Sequence, residues 1–223
     1  RKKYKNDPEG FRIAEKKLEA DTGKHFWPAN EMCIRHSEGL RSNHPVLAKL
    51  WYFWGNHFTI SDTQTLGSYS TGAYQREFLR ANMNKNFEKM VTEATLAWPM
   101  IMHLDNKDNI GPKSISGKED WRKKEKEPAT INENHARELM ELHTISPEGG
   151  YTQEDVIELA KIMTGWRPKW TKGKDHGSDV SFDRESHEPG KKKVLEKVYK
   201  SGKKGINLAI KDLVNHPSCR EFI

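Results

Sequence analysis

The stretch Thr152-Gln153-Glu154-Asp155-Val156-Ile157-Glu158-Leu159-Ala160-Lys161-Ile162-Met163-Thr164-Gly165 decides the fold class. Val156, Leu159, Ala160 and Met163 recur at i, i+3, i+4 and i+7, which lines one face of an α-helix. Thr152 followed by Asp155 approximates a capping box with an acidic residue in the Glu position, and Gly165 is a stop signal. A helix over 152–165 with one apolar face needs other elements to cover that face.

Working outward, residues 42–58 read as an amphipathic core helix. Pro45 suits its first turn, and Val46, Leu47, Leu50, Trp51, Trp54 and Phe58 recur at helical spacing. Residues 71–83 and 86–104 predict two more helices, the second bent or broken by Pro99. Residues 132–144 resume helix, with Asn132 as N-cap, before Pro147, Gly149 and Gly150 turn the chain. Short helices are expected at 194–199 and 206–214. Two long polar loops, about 106–131 and 167–190, lack apolar periodicity, and no strand alternation stands out. The expected architecture is an all-α, irregular multi-helix domain with two long polar loops and little or no β. It is read as a single domain over 1–223, part of a longer protein.

The 223 residues include 34% hydrophobic and 31% charged residues, so the core is modest. Seven Trp, eight Phe and six Tyr nevertheless supply enough apolar surface to offset ordering entropy. The net charge of +6 is small and dispersed over 1–5, 118–127 and 191–204, which argues against nucleic acid as the partner. Cys33 and Cys219 are too few for a disulfide scaffold and lack zinc-site spacing. No apolar run approaches the roughly 18 residues of a transmembrane segment, and localisation stays open.

The chemistry-bearing segment is Asn132-Glu133-Asn134-His135-Ala136-Arg137-Glu138-Leu139-Met140-Glu141-Leu142-His143-Thr144. At 100° per residue Glu133, Asn134, Arg137, Glu138 and Glu141 share one side of the helix, opposite Ala136, Leu139, Met140, Leu142 and His143. On a solvent face, Glu133, Arg137 and Glu141 would be two successive i, i+4 ion pairs worth a few tenths of a kcal/mol. Facing a cleft, Arg137 would hold one carboxylate ionised while Glu138 or Glu141 acts as general acid or base.

His57 ends the first core helix, where function concentrates, and is the preferred catalytic histidine. Asn56 and His57 could equally cap the last carbonyls of that helix. His57, His143 and Glu141 form a metal-ligand set without a supporting spacing motif, so no metal is assigned and the cofactor is left open. Trp54 and Trp166 are packing anchors or stacking platforms for a polar substrate. HExxH, Cys-x-x-Cys, Gly-x-Ser-x-Gly, the Walker loop and the dinucleotide-binding glycine pattern are all absent.

Trp54-Gly55-Asn56-His57-Phe58, Asn132-Glu133-Asn134, Ala136-Arg137-Glu138-Leu139, Glu141-Leu142-His143-Thr144, Tyr151-Thr152-Gln153-Glu154-Asp155-Val156 and Thr164-Gly165-Trp166, continuing through Phe182, His187 and Lys191 to Asn215-His216-Pro217, resemble the domain-of-unknown-function family 1800. The resemblance covers most of the chain after about Asn43, with His187-Glu188 where the family usually has His-Asp. It implies a bacterial protein, often exported and often encoded beside a sulfatase-like family. It also implies that Glu133, Asn134, Arg137, Glu138 and Glu141 are signature positions, with His57 and Trp166.

Three readings follow. The first is a hydrolase or transferase acting on a polar substrate such as a glycan through the acidic helix face. The second is a non-catalytic assembly module in which a Glu-Arg-Glu network holds helices in register. The third is anionic-polymer binding through 191–204.

Overall fold

A computed structural model describes residues 26–61, 70–118, 130–169 and 179–223, with isolated positions before residue 18. Its centre is the helix expected from the opening stretch, running Gln153–Met163. Thr152 accepts from the Asp155 backbone N–H, and the Asp155 carboxylate accepts from that of Thr152 at 2.8 Å, which completes the capping box. Val156, Leu159, Ala160 and Met163 are fully buried, each large side chain contributing about 1.5–3 kcal/mol.

Ahead of it come α1 (Phe26–Arg41), α2 (Pro45–His57), a π-helix (Tyr74–Arg80), α3 (Phe87–Thr95), α4 (Trp98–His103), the four-residue α5 (Ile115–Lys118) and α6 (Asn134–Glu141). The central helix is α7, and α8 (Gly205–Val214) and α9 (Pro217–Phe222) follow it. α7 packs on α6 and α8, α8 packs in turn on α3, and the core runs from Phe58 to Cys219 through these helices.

The expectation of an all-α fold needs correction: the protein is mostly helical but carries two small antiparallel sheets. β1 (Trp166–Pro168) pairs with β2 (Val180–Phe182) inside the expected 167–190 loop, with Trp166 opposite Phe182. β3 (Lys192–Val194) and β4 (Lys197–Tyr199) occupy the stretch expected as a helix at 194–199. Leu195 and Glu196 adopt φ of 47° and 64°, the two-residue turn that joins right-twisted strands. The hairpin hangs on α7, whose Asp155 accepts from the Leu195 N–H at 2.7 Å and whose Glu158 accepts from the Lys193 N–H at 3.0 Å. These tertiary bonds outweigh the local helical spacing of Val194, Leu195 and Val198.

Other boundaries shift for local reasons. The expected helix over 86–104 is broken, not bent: two helices are parted at Leu96 and Ala97, and Pro99 sits in the first turn of α4. Asn86 caps α3 by accepting from the Lys89 N–H. α6 starts two residues late because the Asn132 side chain accepts from the Asn134 N–H in an Asx turn.

The expected 71–83 helix is π-wound over Tyr74–Arg80. Gly55 permits its approach: a Cβ there would lie 2.5 Å from the Gln75 side-chain oxygen. The expected surface loop at 106–131 is instead partly core. Asn106, Asn109 and Ser114 are buried because their side chains satisfy backbone groups that water would otherwise serve. Residues 119–129 and 170–178 of the two expected loops lie outside the described residues, as do 62–69.

Candidate functional site

The polar face of α6 is built from its first turn. Asn109 accepts from the Asn132 backbone N–H at 3.2 Å and donates to the Ala160 carbonyl at 2.9 Å. Asn132 donates to the Asp105 carbonyl at 3.3 Å. Asn106 donates to the carbonyls of Met163 and Trp166. This buried amide relay ties the start of α6 to the end of α7. Asn106 and Asn109 were missed in the sequence because isolated asparagines read as loop residues, and only the carbonyls they serve give them away.

Glu133, Asn134 and Arg137 line an open cleft of about 410 Å³ together with Thr130, Ile131 and Asn132. Arg137 donates to Glu133 at 2.5 Å and to the Gln153 side chain at 2.7 Å, while Gln153 donates back to Glu133 at 2.5 Å. The three groups close a ring between the N-terminal turns of α6 and α7. The expected ladder of two ion pairs is therefore half realised. Among the described residues Arg137 has no ion pair with Glu141, because Gln153 of the neighbouring helix takes its second contact. Arg137 and Glu133 keep 33% and 36% side-chain exposure, which makes this a rim pair and not a buried network.

Glu141 instead receives the Tyr151 hydroxyl, at 3.5 Å. Glu138 and Glu141 stand one turn apart on α6 and are half-buried. Burial, with the Glu141 carboxylate beside it, raises the Glu138 pKa, partly offset by Arg137. Burial and Glu141 likewise raise that of the Tyr151 phenol. The Glu133 hydrogen bond holds Arg137 firmly protonated.

His57 lies beyond the other end of α6. Its Nε2–H donates to the His143 carbonyl at 3.1 Å, and its ring is 6.0 Å from that of His143. Burial lowers its pKa, with the carbonyl bond working the other way. The buried His135 has both ring nitrogens unpartnered, and so is Nδ1 of His143. Burial, with neighbouring imidazoles, lowers both pKa values to about 3. His135 and His143 are neutral members of the core. Among the described residues, no three or more His, Cys, Asp or Glu are grouped so as to hold a metal ion.

Trp54 packs on Phe87 at 5.5 Å and sits 5.7 Å from the His57 ring, in the aromatic cluster below α2. Trp166 is 7% exposed, 5.6 Å from Phe182, at the far end of α7 from Gln153. At 1.5 Å per residue α7 separates them by about 15 Å. The structure thus brings Glu133, Asn134, Arg137, Glu138 and Glu141 together, adds Gln153 and Tyr151, and leaves Trp54 and Trp166 in packing roles away from that face.

The sequence profile of a family described as a protein of unknown function (DUF1800) matches residues 5–223. The chain belongs to this family. The match starts well before Asn43, so α1 and the residues ahead of it are part of the DUF1800 unit. No curated protein matches this DUF1800 chain, and no solved structure does. Among the described residues no helix is long and apolar enough to cross a membrane.

Proposed function

We propose that this chain, acting as one domain over 1–223, is a hydrolase or transferase on a polar substrate such as a glycan, working from the exposed face of α6. The observation that carries the reading is the contrast along that face. Glu138 is disposed to keep its proton by burial beside Glu141, one turn from a cleft whose rim is fixed by Glu133, Arg137 and Gln153. Two carboxyl groups in different surroundings are the arrangement that divides general-acid from general-base work. Glu138 would donate the proton to the leaving group. Glu141, oriented by Tyr151, would serve as the second carboxyl group. Asn134 and Arg137, at the cleft, would bind hydroxyl or carboxylate groups of the substrate.

The test is a turnover screen of the full-length protein on glycosides, carboxylic esters and phosphoesters, followed by Glu138→Gln and Glu141→Gln. A hydrolysed class whose rate falls at least a hundredfold in Glu138→Gln supports the assignment. Activity that survives both substitutions, or no turnover across the three classes, removes it.

The assembly-module reading asks for a network that holds helices in register; the ring through Gln153 does join α6 to α7, but the exposure of Arg137 and Glu133 keeps its contribution small.

A further inference from the structure

At the opposite end of α7 a second cavity, of about 410 Å³, opens between the 182–189 segment and the turn at 201–203. Phe182 and Pro189 give it an apolar wall, His187 its floor, and Arg184 and Lys203 its charge. This volume lies in the range of small-molecule sites.

Among the described residues neither Arg184 nor Lys203 has a carboxylate partner. Of the three carboxylates that flank Arg184 and His187 in sequence, Glu185 is exposed and forms no ion pair among the described residues, and the other two are engaged elsewhere. Asp183 accepts from the Ser186 hydroxyl at 2.6 Å and lies 3.6 Å from Arg167. Glu188 is buried and accepts from the Lys113 backbone N–H at 2.9 Å. Three other lysines of the region are spoken for: Lys193 pairs with Glu196 and Lys197 with Asp212, while Lys192 is buried against the Glu188 carbonyl.

The walls are also held in place. His187 donates from Nδ1 to the Thr164 carbonyl at 2.9 Å and accepts at Nε2 from the Gly202 N–H at 2.9 Å, which locks the two segments together as a neutral imidazole. The Lys203 ammonium lies 5.8 Å from the Trp166 ring centroid, a cation–π contact that directs its side chain. Trp166 and His187 thereby act as positioning residues.

We propose that this cavity is a binding site for a small phosphate or sulfate monoester, independent of the α6 face. The doubly or singly charged oxyanion would lie between Arg184 and Lys203, and its carbon body against Phe182 and Pro189. Guanidinium and ammonium together suit a tetrahedral oxyanion, the first through paired N–H groups and the second as a point charge.

The experiment is calorimetric titration of the full-length protein at low salt with phenyl phosphate, phenyl sulfate and inorganic phosphate. Saturable binding of either ester, tighter than inorganic phosphate, is expected, and the two esters distinguish the oxyanion. The Arg184→Gln, Lys203→Gln double variant should weaken it at least tenfold. A Lys191→Gln, Lys200→Gln variant, with the same charge change outside the cavity, should bind within twofold of wild type. Circular dichroism on both variants verifies the fold, which these exposed positions leave intact. Absence of saturable heat with all three probes overturns the proposal, as does equal weakening in the two variants, which would mark diffuse charge attraction. Either failure leaves the α6 reading untouched, because turnover there is measured with Glu138 and Glu141.

Discussion

His57 and His143, 86 residues apart in sequence, are joined by a hydrogen bond from the His57 Nε2–H to the His143 carbonyl at 3.1 Å. The bond closes the C-terminal end of α2 onto the chain leaving α6, and it fixes the His57 tautomer. His57 is half-buried and stacked on Phe53 at 6.1 Å. His57→Ala should lower stability by about 2 kcal/mol, through the unpaired carbonyl and lost ring contacts. Urea denaturation checks this, and a change below about 0.5 kcal/mol would show that the bond does not hold α2 to α6 in solution.

Acid should unfold this protein early. His135 and His143 have native pKa values of about 3 against an ordinary 6.5, and burial lowers those of His57 and His103 as well. Between those values the unfolded chain takes up protons that the native state refuses, so stability falls as pH drops below about 6.5. At about pH 5 each of the two buried histidines should cost roughly 2 kcal/mol. Urea midpoints at about pH 7.5 and pH 5 measure the loss. His135→Leu, which removes a group with no hydrogen-bond partner, should flatten the dependence.

Arg137 separates the catalytic from the structural reading. Its partners are rim groups, so Arg137→Ala should change stability by less than about 1 kcal/mol while reducing turnover. Loss of several kcal/mol with turnover per folded molecule unchanged would instead make it a structural clamp.

Glu138 should titrate above the ordinary glutamate range, and Glu141→Gln should move it back down by removing the neighbouring charge. Carboxyl-carbon NMR titration of both proteins reads the two positions directly. A Glu138 that titrates identically in the variant would show that burial alone sets its proton affinity.

Glu196→Gly should stabilise the fold by about 1 kcal/mol, since φ of 64° costs an L side chain that amount and glycine none. The ion pair it loses, to Lys193, is exposed and worth little. The thermal midpoint should rise by about 3 °C.

What the sequence by itself determined is local: the stripe of Val156, Leu159, Ala160 and Met163, the Thr152–Asp155 box, the Gly165 stop and the shared face of Glu133, Arg137, Glu138 and Glu141. These follow from 3.6-residue periodicity and from orphaned backbone groups within a few positions of the side chain that satisfies them. What only the tertiary structure decided is which neighbour arrives at each face. Gln153 displaces Glu141 as the second partner of Arg137, Asp155 and Glu158 capture the hairpin that the spacing at 194–199 disguised, and Asn106 and Asn109, expected in a loop, form a buried relay with Asn132. A periodic pattern states that a face must be covered, but the covering group comes from residues tens of positions away, whose approach depends on packing that no short window of sequence contains.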